Sequence, residues 1–490
     1  MNSTQTIALV IILLYMALTV ALGLVISNNK KKKSGKQSND DFLMAGKSLG
    51  PLVLAGTLFA ANTGGASTTG VASNVYTNGL GASWYVIAAG IGFVLVSFIA
   101  PYFRRTQSNT VPEIISKRYG KPSHIFTAIT SITALFMATG AQIIATASII
   151  NAVTGFSFAT AAMITTVVVI AYTMVGGFTS VTATNVMHVL FITIGMAVTM
   201  LVVVNNSAVG GFAALFAKAK TITGSSGENL DLLSMTKVGI PTIIGYIAMY
   251  SMTFPTGQEI VQTYCSAKDG ATAKLGSLIA GVLSAAYAIV PAIIGLVAYV
   301  SIDGFAAGGA QKNALAQAAL TFAPAWVAGI VLAAIVAATM SSASGNMIGT
   351  ATMFTNDIFT PYINKGVKDD SKEVWISRVT MVVVGLVGLV VALTASNIIS
   401  VMMGAFALRS AGPFAAFICG IFYKNVTQRA GFLSIVSGTL VAAVWIYGFN
   451  TPWGLSGMVP GGMVAFIVIF LVSAIDRKLG IAPAKPLELD

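Results

Sequence analysis

Charge is scarce in this chain. Of its 490 residues only 9% are Asp, Glu, Lys or Arg, and 56% are hydrophobic. Soluble domains run near a quarter charged, so a water-soluble globule is excluded. The alternating segments of about 10 residues that build a transmembrane β-barrel are absent as well. Two cysteines (Cys265, Cys419) and two histidines (His124, His188) offer no disulfide framework, no metal cluster and no nucleophile–base pair. No G-x-x-x-x-G-K-[ST] stretch occurs to cradle the phosphates that a nucleotide-driven pump needs. No extramembrane segment is long enough for a catalytic module, so neither an enzyme nor a bound cofactor is expected.

Long apolar runs are abundant. Thirteen can be read, at roughly 5–27, 48–76, 80–103, 122–153, 157–175, 177–204, 238–263, 273–302, 323–358, 376–395, 398–423, 428–448 and 457–475. Runs of this length suit a crossing of ~30 Å of hydrocarbon. The first lacks a basic leader and a small-residue cleavage site, which favours a retained span over a signal peptide. With the N-terminus outside, 22 of the 27 Lys and Arg residues lie in cytoplasmic segments, Lys30 to Lys33, Arg104, Arg105, Arg477 and Lys478 among them. Lys218, Lys220, Lys237 and Lys312 fall outside, and Arg409 falls within a span. The reverse orientation would defy the positive-inside rule. This distribution accounts for the net charge of +12 without nucleic acid. The partners expected are the lipid bilayer of the cell membrane, a small solute and an ion, with no obligate protein partner.

Five regions follow. Residues 1–47 hold the first span and a basic loop (28–40), and 48–204 hold five spans. Residues 205–237 form an external loop with a short surface helix in "GFAALFAKAK". Five more spans occupy 238–424, and 425–490 carry the last two and a cytoplasmic tail.

Two spans are interrupted at matched places. In the second, Asn62 and Thr63 precede Gly64 and Gly65. In the seventh, Pro255 and Gly257 do the same work, because proline removes a helical hydrogen bond and crowds the preceding turn. The two lie five spans apart, so 48–204 and 238–424 read as repeats of five helices. An odd repeat length forces the halves into opposite orientations, the inverted-repeat plan of secondary transporters. Gly and Pro also mark mere kinks or close packing in membrane helices; the matched positions favour unwinding.

The ninth span contains "VAATMSSASGNM" (336–347), rich in hydroxyls for a lipid-spanning segment. Ala338, Ser341 and Ser342 are spaced i, i+3, i+4 and share one helix face. Hydroxyls beside carbonyls suit a small hard cation, and unwound carbonyls around Ala60 to Thr63 could complete its shell. Serines also glue membrane helices together, at roughly 1 kcal/mol each. The residues alone leave both readings open.

Four stretches carry a family resemblance: "DDFLMAGKSLGP" (40–51), "YTMVGGFTSVTATNVMHVL" (172–190), "QEIVQTYCSAKD" (258–269) and "AAIVAATMSSASGNMIGTATMFTNDIF" (333–359). The chain resembles the sodium:solute symporter family over nearly its whole length. The resemblance implies an all-α, leucine-transporter-like fold with a 5+5 inverted repeat and extra flanking helices. It also implies sodium-coupled symport of a small organic solute by alternating access. An amino acid or monocarboxylate is favoured; a sugar, vitamin or osmolyte, proton coupling and, more distantly, a channel are the alternatives. Carried over residue by residue, the family's sodium site would use the carbonyls of Ala60, Thr63 and Ala338 and the hydroxyls of Ser341 and Ser342. Sodium is then the coupling ion. Two positions depart from the family pattern: Asn185 replaces an aspartate and Gly345 a serine of a second cation site. One sodium per cycle is therefore expected.

Asn62, Ser67, Gln142, Tyr250, Phe254 and Gln258 are expected around the midplane cavity as solute contacts. Arg409 is the one basic residue placed near mid-membrane, where a charge costs ~2.5 kcal/mol or more and calls for a partner. No acidic residue shares its span. Its planar fork suits a solute carboxylate; a structural pair or a snorkelling side chain is the alternative. Glu259 and Asp357 are expected near the cytoplasmic ends of their spans, and His188 as a packed core residue.

Overall fold

The computed structural model describes residues 2–34, 48–106, 108, 110–222, 231–305, 313–395 and 397–487, without the side chains of 23, 24, 26–34 and 175–186. Its principal helices are α1 (Ser3–Ser34), α2 (Pro51–Asn62), α3 (Val71–Asn78), α4 (Trp84–Val96), α5 (Lys121–Thr154), α6 (Phe158–Val204), α7 (Ile240–Thr253) and α8 (Gln258–Cys265). They continue as α9 (Gly270–Tyr287), α10 (Ile289–Ser301), α11 (Ala325–Met353), α12 (Asp370–Thr394), α13 (Ile398–Ser410), α14 (Pro413–Phe422), α15 (Gln428–Ala443) and α16 (Met458–Lys478). Among the described residues no β-strand occurs. Nine helices there are long and apolar enough to cross a membrane, ten if the bent pair α13–α14 is one span. The first halves of the interrupted spans, Pro51–Asn62 and Ile240–Thr253, fall short of that length, and the second half of the second span continues with α4 as Ala66–Val96.

Both expected breaks are present. The second span ends as α2 at Asn62, turns through 63–65 and resumes as a π-helical turn, Ala66–Gly70, leading into α3. The seventh is split between α7 and α8 by Phe254 to Gly257. A pair of backbone bonds, Leu49 N to Ser266 O (3.0 Å) and Lys268 N to Leu49 O (3.0 Å), joins the chain just before α2 to the chain just after α8.

The serine-bearing helix α11 occupies the centre. From Val331 to Met353 every residue except Gly345 is buried, so no face is left for lipid. A helix enclosed all round must be apolar or internally satisfied all round. Its neighbours are α1, α5, α6 and α12. The peripheral helices turn apolar side chains outward, as with Leu13 and Leu14 on α1, Val390 on α12 and Ile467 on α16. In water such a surface would aggregate; in hydrocarbon it is the solvated face.

Two expected boundaries differ. Spans expected at 157–175 and 177–204 run as one helix, α6, of 47 residues. At 1.5 Å per residue it is about 70 Å long, more than twice the hydrocarbon thickness. Its apolar ends, Phe158–Met174 and Met187–Val204, bracket the stretch whose side chains are not described. The basic loop expected from residue 28 is helical as far as Ser34; the rest of it lies outside the described residues. In the segment 205–237, expected to be external, a short helix is found at Gly211–Thr221.

Candidate functional site

The break in the second span is shaped by helix α5. Gln142 Oε1 accepts a hydrogen bond from the Gly65 amide at 2.6 Å. That amide would otherwise serve the carbonyl of Ala61 four residues back. Only glycine permits the approach. A Cβ on Gly64 would sit 2.5 Å from Gln142 Oε1, and one on Gly65 would sit 2.2 Å from the Cβ of Ala145. Ser67 Oγ closes the turn by donating to the Asn62 carbonyl at 2.7 Å. Two expected solute contacts, Gln142 and Ser67, therefore also hold the unwound backbone in place.

The freed carbonyls meet α11. Ser342 Oγ is 3.2 Å from the carbonyl oxygen of Ala60 and 3.4 Å from that of Ala61. Ala338, Ser341 and Ser342 are all buried. Thr63 is wholly enclosed, its hydroxyl without a hydrogen-bond partner. Tertiary packing thus brings Ala60 and Ser342 together across 282 positions of sequence. A hydroxyl pointed at backbone carbonyls in a dry interior is a set of hard oxygens. No group of three or more His, Cys, Asp or Glu side chains that could hold a metal ion occurs among the described residues. Of the two positions that depart from the family pattern, Gly345 faces open space where a Cβ would stand, and the side chain of Asn185 lies outside the described residues.

Beside this break a cavity of about 20 Å³ has room for about one water. Asn62, Gln142, Tyr250 and Phe254 border it, together with Tyr85, Glu259, Asn346 and Phe406, which sequence reasoning did not place there. Four of its lining residues are aromatic. Tyr250 packs against Tyr85 (5.4 Å between centroids) and Phe254 (5.1 Å), and Phe254 stacks on Phe93 (4.0 Å). Ser67 is buried at the break but is not among the lining residues. Gln258 is a correction. Its Oε1 accepts from the Val111 amide at 2.9 Å, so it satisfies the first turn of the helix Val111–Tyr119 instead of facing the cavity.

Arg409 is the larger correction. It is not an unpaired fork awaiting a solute carboxylate. Its two Nη atoms donate to Glu259, at 2.7 Å and 2.5 Å. The guanidinium carbon also lies 4.8 Å from the centre of the Phe406 ring. Glu259, expected near a cytoplasmic helix end, instead stands in the first turn of α8, directly after the break, and borders the cavity. The partner was invisible within the span because it comes from another helix, 150 residues away. Removing either member of a buried pair is costly, since it strands the other charge. Ser410, the next residue, bonds Thr256 (2.8 Å) and lies 3.2 Å from Thr253, so α13 is stitched to the break at two adjacent positions.

Similarity to known proteins decides what this architecture serves. The family described as "Sodium:solute symporter family" matches residues 42–438. The chain belongs to the sodium:solute symporter family. It is 27% identical over 469 residues to a sodium/proline symporter of Escherichia coli K12, covering 91% of this chain and 90% of that one. It is 26% identical over 458 residues to a sodium/glucose cotransporter of Vibrio parahaemolyticus, covering 86% and 82%. Among solved structures, a Na+-coupled sialic acid symporter in a substrate-bound, outward-open state superposes with a TM-score of 0.80 at 19% identity, covering 98% and 99% of the two chains. MhsT in complex with L-phenylalanine superposes with a TM-score of 0.56 at 14% identity, covering 87% and 99%. The fold is therefore leucine-transporter-like, as expected.

This symporter is a multi-pass membrane protein and a transporter, not an enzyme, with sodium as its coupling ion. Its histidines are both engaged. His188 Nδ1 lies 3.1 Å from the hydroxyl of Tyr15 on α1, the packed core role expected of it. His124 Nε2 lies 2.8 Å from Asp357 Oδ1, to which Thr110 also donates at 2.9 Å. That contact joins α5 to the π-helical end that follows α11, over a separation of 233 residues, and no local pattern announces it.

Proposed function

We propose that this symporter accumulates a small amino or imino acid, proline first among the candidates, with one sodium ion. The ion is held by the carbonyls of Ala60, Thr63 and Ala338 and the hydroxyls of Ser341 and Ser342. The observation that carries the reading is the approach of Ser342 Oγ to the Ala60 carbonyl at 3.2 Å, at the break whose next two residues, Ala61 and Asn62, border the solute cavity. An ion bound there draws α11 and the unwound backbone together, and the solute rests on that same backbone. Each ligand then favours the arrangement the other needs, which is a coupling free energy between two sites and is necessarily reciprocal.

Three features favour an amino or imino acid over a sugar or a simple monocarboxylate. The E. coli relative, which this chain matches over nine-tenths of both lengths, is a sodium/proline symporter. Four aromatic rings line the cavity and suit a small apolar ring or side chain. Arg409, the cation expected to meet a solute carboxylate, is already engaged by Glu259.

The test is uptake by the purified protein in proteoliposomes under an inward sodium gradient. Labelled L-proline should accumulate uphill and saturably, and labelled D-glucose should not. Sodium-dependent uptake of glucose without proline would overturn the solute. Uptake that follows a proton gradient and ignores sodium would overturn the ion.

A further inference from the structure

We infer that Glu259 reads the positively charged nitrogen of the solute, and that Arg409 is a positioning residue that fixes the carboxylate for this task. The inference rests on the amino- or imino-acid reading above and deepens it to a requirement for a protonated amine. Of the residues lining the central cavity, Glu259 alone is charged. It retains 12% side-chain exposure, against 1% for Arg409, so the acid and not the base meets the cavity. Each carboxylate oxygen accepts one N–H from the guanidinium. An ionised carboxylate offers about four acceptor positions, which leaves capacity for a donor arriving from the solute.

The rest of the wall agrees in sign. Tyr85, Tyr250, Phe254 and Phe406 present rings to the cavity, and aromatic faces attract cations. On the opposite broken helix, Asn62 Nδ2 is buried without a hydrogen-bond partner and its residue borders the same cavity. That is a donor suited to a carboxylate. The two breaks therefore turn an acceptor and a donor toward one small space, the two polarities that a zwitterion pairs with.

Arg409 makes the arrangement sustainable. The bidentate guanidinium fixes the plane of the carboxylate. The fit is tight. A Cβ on Gly257, two residues before Glu259, would lie 2.7 Å from Arg409 Nη2.

The experiment compares L-proline with (S)-tetrahydrofuran-2-carboxylate, which has the same ring and carboxylate but an oxygen in place of the NH2+ group. Competition against labelled L-proline is measured in proteoliposomes at saturating sodium. The parent should prefer proline by about tenfold to hundredfold, the worth of one hydrogen bond to a charged group. Glu259→Gln should collapse that ratio toward unity by raising the KM for proline, with little change in sodium half-saturation. Should Glu259→Gln fail to reach the membrane, Glu259→Asp, which withdraws the charge by one methylene, should lower the ratio in part. A folded Glu259 variant that transports proline with the parent's ratio overturns the assignment and leaves the proline reading standing. Absence of sodium-dependent proline uptake in the parent overturns that reading and the assignment with it.

Discussion

Replacing Ser342 with alanine separates the two meanings a buried serine can have in a membrane helix. The hydroxyl stands 3.2 Å from the Ala60 carbonyl and 3.4 Å from that of Ala61. As helix glue alone, its loss should cost about 0.6 kcal/mol, and under about 2, of stability. For a chain of this size that is a Tm shift of no more than about 4 °C. As a sodium ligand, it contributes a bond to a charged group, worth about 1.5–3 kcal/mol. Removing it should raise the sodium concentration for half-maximal uptake roughly tenfold to hundredfold. The two readings therefore differ by more than an order of magnitude in one assay and scarcely at all in the other. Proteoliposome uptake is measured across a sodium series at fixed external proline, with maximal uptake at high sodium as the check on protein quality. Thermal denaturation with and without sodium completes the pair. Ser342→Ala should keep its Tm in sodium-free buffer and lose the increment that sodium confers on the parent. An unchanged sodium requirement beside a lowered Tm would refute the ligand role and leave only the glue.

Other consequences follow from the same geometry. With Gly345 and Asn185 at the second cation position, proline uptake should rise with sodium without sigmoidal character and move one charge per solute; solid-supported membrane electrophysiology with flux measurement checks this. Gln142→Leu removes the acceptor for the Gly65 amide and leaves a buried donor unsatisfied, so it should cost about 1–3 kcal/mol, read as a lowered Tm even without solute. Gly257→Ala should displace the guanidinium from Glu259, because the new Cβ would lie 2.7 Å from Arg409 Nη2; a raised KM for proline with preserved sodium half-saturation is the expected result. His188→Gln breaks the contact with Tyr15 and should lower stability modestly while uptake keeps the parent's pH profile, whereas a proton relay there would change that profile.

The sequence by itself determined the membrane and the breaks through local chemistry, and its family resemblance supplied the candidate ion ligands. Apolar runs have no other stable home than lipid, and the glycine, asparagine and proline positions that interrupt a helix do so wherever the chain is placed. Ala338, Ser341 and Ser342 share a face because of helical periodicity alone. The tertiary structure decided which groups are paired. Arg409 read as an unmatched charge because its partner lies 150 residues away, and nothing within its own span points to Glu259. Gln258 read as a cavity residue, yet its amide oxygen turns to the backbone at Val111. Asp357 and His124 are a further pair that only packing joins. A buried polar group must find a partner, since an unsatisfied one costs too much in a dry interior. That requirement is legible in the sequence; the partner's identity is a property of which helices become neighbours.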